Sequence, residues 1–275
     1  MDTQGHLQPQ HHREFLDRFV EACRADERVV AAFLGGSYGR GAADAYSDLD
    51  LYLVTSDGTH DDFFAGREAF VRRLGEVVFL ETFGSAVTLF FIFADGTEGE
   101  LRIGRESLLH QLHSGPYTVL LDRNGILAGA VFTEPGSDPA EQRETLRRQV
   151  VWFWHELSHF ITAMGRGQYW WAYGQIEALR LVCVNLARLR HNFNDPDVGT
   201  EPFFKVERAL PEEQLAPLLA TICPMEPDAL IQAALVIVRF YQELAPPLAR
   251  AHGIAYPAGL ERVMLDRLEK LRAPR

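Results

Sequence analysis

The segment that most restricts what this chain can become is "FLGGSYGRGAADAYSDLDLYLV", residues 33–54. An apolar run ends at Gly35-Gly36-Ser37, a loop follows, and a second run alternates through Asp48, Leu49, Asp50 and Leu51. Residues i and i+2 of a strand share a face. Asp48 and Asp50 therefore stand together while Leu49 and Leu51 point into a core, and Tyr52 has the parity of the acids. Adjacent carboxylates repel unless a cation joins them, and an all-oxygen donor set suits Mg²⁺ or Mn²⁺. Gly35 and Gly36 lack side chains, so backbone N–H groups can approach a phosphate closely. Ser37 adds a hydroxyl and Arg40 a positive charge. No Gly-Lys-Ser/Thr follows, so this is not a Walker loop, and the chain runs on into a strand rather than a dinucleotide-binding helix.

Around this segment the first half reads as α/β. Over residues 11–28, Phe15, Leu16, Phe19, Val20 and Cys23 recur at helical spacing and read as a first helix. "VVAAFL" and "SDLDLYLVT" read as strands, "DDFFAGREAFVRRLG" as one helix, and "VVFLETFG", "AVTLFFIFADG" and "TEGELRIG" as three more strands, the last two joined at Asp95-Gly96. The polar start through His11-His12 reads as a disordered tail. From Asp138 the pattern is helical to the end: Asp138 is an N-cap, Pro139 occupies the first turn, and helices are expected over 139–165, 168–192, 211–222, 227–248 and 257–271. Pro246-Pro247 is expected to end the fourth. The expected fold is α+β, a mixed sheet with flanking helices over residues 1–136 followed by an all-α bundle over 137–275.

The glycine-serine turn followed by Asp48-x-Asp50 on the next strand resembles the nucleotidyltransferase superfamily. The layout of the whole chain resembles the two-domain lincosamide and aminoglycoside nucleotidyltransferases. That resemblance implies a catalytic first domain and a helical substrate-binding second domain. It implies a third acid from a later strand, for which Glu100 in "GELRI" is the candidate, Glu98 has the same parity, and Asp95 sits in the turn. Asp48, Asp50 and Glu100 would hold one or two Mg²⁺ ions, with Gly35, Gly36, Ser37 and Arg40 on the phosphates of ATP or another NTP. Glu100 would also serve as general base for transfer of a nucleoside monophosphate, AMP by preference, to a hydroxyl of an aminoglycoside or lincosamide. Lys205 is a candidate for the triphosphate, and Tyr52, Glu156, Trp170 and Tyr173 are candidates for the acceptor.

The formal net charge is −11, which disfavours nucleic acid as a partner and accommodates a cationic small acceptor. Cys23, Cys183 and Cys223 show no paired spacing, and neither a leader nor a membrane span is apparent, so a soluble cytoplasmic protein, monomer or homodimer, is expected. Two motifs compete with this reading. "HELSH", residues 155–159, spells a zinc-peptidase motif, and Arg148 with His155 fits the loose spacing of helical RNases found beside minimal nucleotidyltransferases. Trp152, Phe153, Trp154, Leu157 and Phe160 around them read as bundle packing, so His155, Glu156 and His159 are expected to pack or to touch substrate. A non-catalytic NTP-binding or toxin–antitoxin-type protein on the same fold is the alternative.

Overall fold

The computed structural model of the chain describes residues 10–133 and 138–271. It divides into two compact units, Met1–Pro135 and Gly136–Arg275. The boundary expected between residues 136 and 137 lies outside the described residues.

The first unit opens with α1 (Gln10–Ala25), whose Phe15, Phe19 and Cys23 are fully buried at i, i+4, i+8 spacing. A six-stranded sheet follows, built from β1 (Val29–Leu34), β2 (Leu49–Thr55), β3 (Val77–Glu81), β4 (Thr88–Phe93), β5 (Glu98–Arg105) and β6 (Thr118–Asp122) in the order β3-β4-β5-β2-β1-β6. Every pairing is antiparallel except β2 on β5. One face packs on α1, where Phe15 meets Phe91 and Phe93 at 5.6 and 5.0 Å. The other face carries a smaller core in which Phe33 stacks on its register partner Tyr52 at 4.7 Å and on Phe132 at 5.2 Å.

Four local expectations change. His11 and His12 belong to α1, and His12 is buried and shares a 2.6 Å hydrogen bond with the Tyr38 hydroxyl, so the polar start is ordered from Gln10. The helix expected over 61–75 is two, α3 (His60–Ala65) and α4 (Arg67–Arg72), parted at Gly66. The loop after Gly35 begins as one helical turn, α2 (Gly36–Gly39). Strand β6 was not expected: it follows a 3₁₀ turn (Glu106–Gln111), and its "TVLLD" lacks strict alternation.

The second unit is all-helical: α5 (Pro139–Gly165), α6 (Tyr169–His191), α7 (Val206–Ala209), α8 (Glu212–Leu219), α9 (Pro227–Ala251) and α10 (Ala258–Glu269). Asp138 caps α5 by accepting from the Ala140 amide at 2.8 Å. At the other end Gly167, at φ +66°, gives its N–H to Met164 and Gln168 gives its own to Ala163, a Schellman ending that turns the chain into α6. The expected stop at Pro246-Pro247 is overturned, since α9 runs through both to Ala251. A proline cannot bond the carbonyl four residues back. The carbonyl that Pro247 leaves open, Glu243, accepts instead from Arg190 Nη1 at 3.4 Å. Helices α5, α6 and α9 enclose the core, where Phe153 stacks on Tyr241 at 3.8 Å and the Tyr241 hydroxyl donates to Val150 O at 2.6 Å. No helix among the described residues is long and apolar enough to cross a membrane.

The polar centre of this unit is Arg188, 1 % exposed on α6. Its Nη1 donates to Asp195 at 2.8 Å and Asp197 at 3.2 Å, its Nε to Pro202 O at 2.8 Å, and its Nη2 to Phe204 O. One guanidinium thus holds the irregular segment between α6 and α7. A buried charge network loses most when the shared member goes. Arg188→Ala should therefore destabilise the protein by about 3–5 kcal/mol, and Arg188→Lys should recover little of it because an ammonium cannot present the planar fork. Asp197→Asn, at the half-exposed end, should cost less than about 1 kcal/mol. Denaturant midpoints of the three variants decide the order.

Candidate active site

Strand β2 carries Asp50, and its parallel register on β5 sets Asp50 opposite Glu100. Asp48 lies one residue ahead of the strand and is exposed. Burial pushes the Asp50 carboxyl up to about 6, and the negative charges of Asp48 and Glu100 push the same way, only partly offset by Arg102 and Arg40. Arg102 also approaches Glu100 at 3.8 Å, with both side chains half-exposed. Among the described residues the three acids are not a set whose oxygens all fall within 4.8 Å of one another.

The glycine turn is built against these acids. The Gly35 amide donates to Asp50 O at 2.9 Å, fastening the turn to the strand. Gly36 has φ +52°, and a Cβ there would sit 1.6 Å from Asp50 Oδ2. A Cβ on Gly35 would meet Tyr52 and His113 at 2.7 Å. Both positions therefore exclude a side chain for reasons of space, and Gly36 for reasons of backbone conformation as well. The Ser37 hydroxyl is buried without a hydrogen-bond partner among the described residues. Buried hydroxyls are ordinarily paired, and one left open beside the first, intrahelically unbonded amides of a helical turn is suited to a phosphate oxygen. Arg40, at the end of the turn, is exposed.

These residues fit the hard cation and triphosphate that the sequence suggested. The donors are carboxylates only, the acids carry more negative charge than Arg102 and Arg40 remove, and the turn has an unspent hydroxyl where phosphate would lie. Asp95, by contrast, is used in its own turn, accepting from the Thr97 amide at 3.0 Å and from Arg18 at 3.4 Å. Glu98 is exposed at the start of β5, opposite Ile92 of β4.

Tyr52 is 7 % exposed, held between Phe33 and the His113 ring at 4.6 Å. His113 was not singled out from the sequence. It sits in an aperiodic segment, and its burial pushes its pKa down, so it packs as a neutral ring. Arg102 was also missed, although its i+2 spacing from Glu100 on β5 put it on the acid face. His12 and Tyr38 form an overlooked pair. They tie α1 to the residue after Ser37, and burial holds both uncharged by lowering the first pKa and raising the second.

The remaining candidates belong to the helical unit. Trp170 is 80 % exposed and lines an open hollow of about 550 Å³ with Tyr169, Trp171 and Met225. Tyr173 is half-buried against the bundle core. Lys205 is exposed, at φ +51°, with its ammonium 4.3 Å from the Phe204 ring centre. Glu156 is buried and bonded to His155. Beside these candidates on α6, Arg180 is paired with Glu177 and donates to Thr221 Oγ1 at 2.7 Å and Thr221 O at 3.0 Å, which ties α6 to the end of α8.

No curated protein matches the sequence. Among solved structures, an aminoglycoside 6-adenyltransferase from Bacillus subtilis is similar over 98% of this chain and 100% of its own, at 13% identity and a TM-score of 0.41. A nucleotidyltransferase-like protein from Exiguobacterium sibiricum 255-15 is similar over 84% and 75%, at 12% identity and a TM-score of 0.40. Both are too distant to bear on the assignment. The family model described as streptomycin adenylyltransferase matches residues 10–271, a span that takes in every described residue of both units. The chain, with its α+β first unit and helical second unit, therefore belongs to the streptomycin adenylyltransferase family and is an enzyme of the nucleotidyltransferase class.

Proposed function

We propose that the protein transfers AMP from ATP to a hydroxyl of an aminoglycoside-type acceptor. The observation that supports this reading is the buried Ser37 hydroxyl left without a partner in a turn whose Gly36 lies against Asp50. The turn amides and Ser37 bind the outer phosphates of the nucleotide, with Arg40 adding positive charge. Asp48, Asp50 and Glu100 would hold Mg²⁺, which when bound screens the phosphate charge and favours attack at phosphorus. Glu100, half-exposed beside Arg102, accepts the proton of the acceptor hydroxyl. The new bond joins that oxygen to the α-phosphorus, the α–β bridge breaks, and pyrophosphate carries away the electron pair. The family name and the −11 charge together favour a cationic aminoglycoside over a lincosamide. Trp170 and Tyr173 are the acceptor candidates on the helical unit, Glu156 being buried and bonded to His155, and Lys205 remains a candidate for the nucleotide.

The direct test is incubation with ATP, Mg²⁺ and a panel of streptomycin, other aminoglycosides and a lincosamide, following pyrophosphate release and a product heavier by one AMP. An aminoglycoside product is expected. Release with the lincosamide alone would reassign the acceptor, and no release with any member would refute the antibiotic reading.

Two substitutions probe the site itself. Ser37→Ala removes a hydroxyl that has no internal partner, so stability should be unchanged. The KM for ATP should nevertheless rise about tenfold or more, the worth of a hydrogen bond to a charged group. Asp50→Asn should act in opposite directions on two readouts. The raised pKa means the metal-free protein loses stability as pH climbs from the ordinary 3.8 through about 6 and carries the full cost above that. Because the group is partly solvated, relieving that cost should stabilise the metal-free protein at neutral pH by only about 1 kcal/mol. The same variant should lose the rise in melting temperature that Mg²⁺ with ATP gives the wild type, and kcat should fall by at least about 10³-fold. A melting curve recorded with and without Mg²⁺-ATP reads the two stability effects in one experiment.

A further inference from the structure

The structure assigns a second ion site, independent of the acids, in which His155 and His159 of α5 bind one divalent transition-metal ion. The two histidines are one helical turn apart, and their rings meet edge to face at 4.3 Å. One ligand-capable atom from each of His155, Glu156 and His159 lies within 4.8 Å of the other two. All three lie within the helical unit.

The hydrogen bonds around the pair are those that ready an imidazole for a metal. Glu156 is 7 % exposed, and its Oε1 lies 2.9 Å from His155 Nδ1. With the Gln175 amide oriented to suit both neighbours, its nitrogen donates to Glu156 Oε2 at 2.5 Å and its oxygen accepts from Trp171 Nε1 at 3.0 Å. With Nδ1–H donated to a carboxylate, the Nε2 lone pair of His155 is free to ligate, and the ring orientation is set. Trp152 stacks on the outer face of His155 at 4.5 Å and fixes it further. His159 has no hydrogen-bond partner among the described residues, and its ring is placed by His155 and by Trp171 at 5.7 Å.

Charge balance points the same way. A carboxylate this buried is costly unless a positive charge faces it, and the one ion-pair partner of Glu156 among the described residues is His155. A dication on the two imidazoles supplies the missing charge through the ring. Imidazole nitrogens select zinc, nickel or copper over magnesium, so the site does not compete with the carboxylates of the first unit for the same ion. It is also not hydrolytic. Glu156 is spent on His155 and Gln175, and so is not free to act as a base on a metal-bound water, which is what the HExxH spelling would otherwise suggest.

The test uses the full chain without a histidine tag, stripped with EDTA and then dialysed against Zn²⁺ or Co²⁺. Wild type should retain one ion per chain more than the His155→Ala/His159→Ala double variant, whatever the histidines near the N-terminus contribute to both. Co²⁺ should give a visible d–d absorption that the double variant lacks, unchanged by excess Mg²⁺. His155 is exposed, so His155→Asn alone serves as the second variant if the double variant misfolds, and far-UV circular dichroism checks folding. Glu156→Gln should weaken affinity about tenfold or more with the stoichiometry kept, as loss of an orienting partner does. Equal stoichiometry in wild type and either histidine variant would overturn the assignment, as would displacement of the Co²⁺ signal by Mg²⁺.

Discussion

The parallel register of β2 on β5 is the constraint on which the candidate active site depends. It sets Asp50 beside Glu100, acids fifty residues apart in the chain. A parallel pair needs a long crossover between its strands. Here α3, α4, β3 and β4 make up that crossover, and β4 returns to pair antiparallel with the far side of β5. Because the side-chain period of a strand is two, slipping β5 by one residue would turn Glu100 to the opposite face and bring Leu101 in its place. The buried Leu49, Leu51, Leu101 and Ile103 hold that register from the other side of the same strands. The apolar core thus fixes the distance between like charges that would otherwise separate.

The glycine turn follows from the same constraint. With Asp50 fixed, its Oδ2 occupies the space a side chain at position 36 would need, and its carbonyl takes the Gly35 amide. Tyr52, on the same strand face, is covered by His113 and Phe33 and closes the space over Gly35. The two glycines are therefore demanded by the acids and the aromatic beneath them as much as by a phosphate. This separates two causes that a sequence pattern presents together. The glycines are explained by packing alone, whereas the unpaired Ser37 hydroxyl is not, and it is the better evidence for a ligand.

What could be read from the sequence was what periodicity and spacing encode. The inward Leu49 and Leu51, the Asp138 cap and the long bundle helices all follow from residues within a few positions of one another. What could not be read depended on distant partners. The Pro246-Pro247 pair reads as a stop because the carbonyl it frees looks orphaned, and only the fold reveals Arg190 reaching it from α6. His12 reads as part of a polar tail until Tyr38 is placed against it. Strand β6 has no alternation of its own because it pairs as an edge with β1, whose residues are all buried and supply the apolar surface. Arg102 was within reach of the i+2 rule already applied to the acids.

The HELSH segment shows how one spelling can hold more than one physical meaning. In a helix, two histidines at i and i+4 share a face whatever lies between them, so the motif fixes the pair and leaves the role of the glutamate open. That role is decided by what the carboxylate touches. A glutamate facing solvent near the pair would be available as a base; Glu156 is buried, bonded along the helix to His155 and across to Gln175 of α6. Gln175 is in turn held by Trp171, so the orientation of one imidazole is set by residues from two helices. Such a chain of polar contacts, satisfied along its length, holds the His155 ring in one orientation, which is what a metal-binding imidazole requires of its partners.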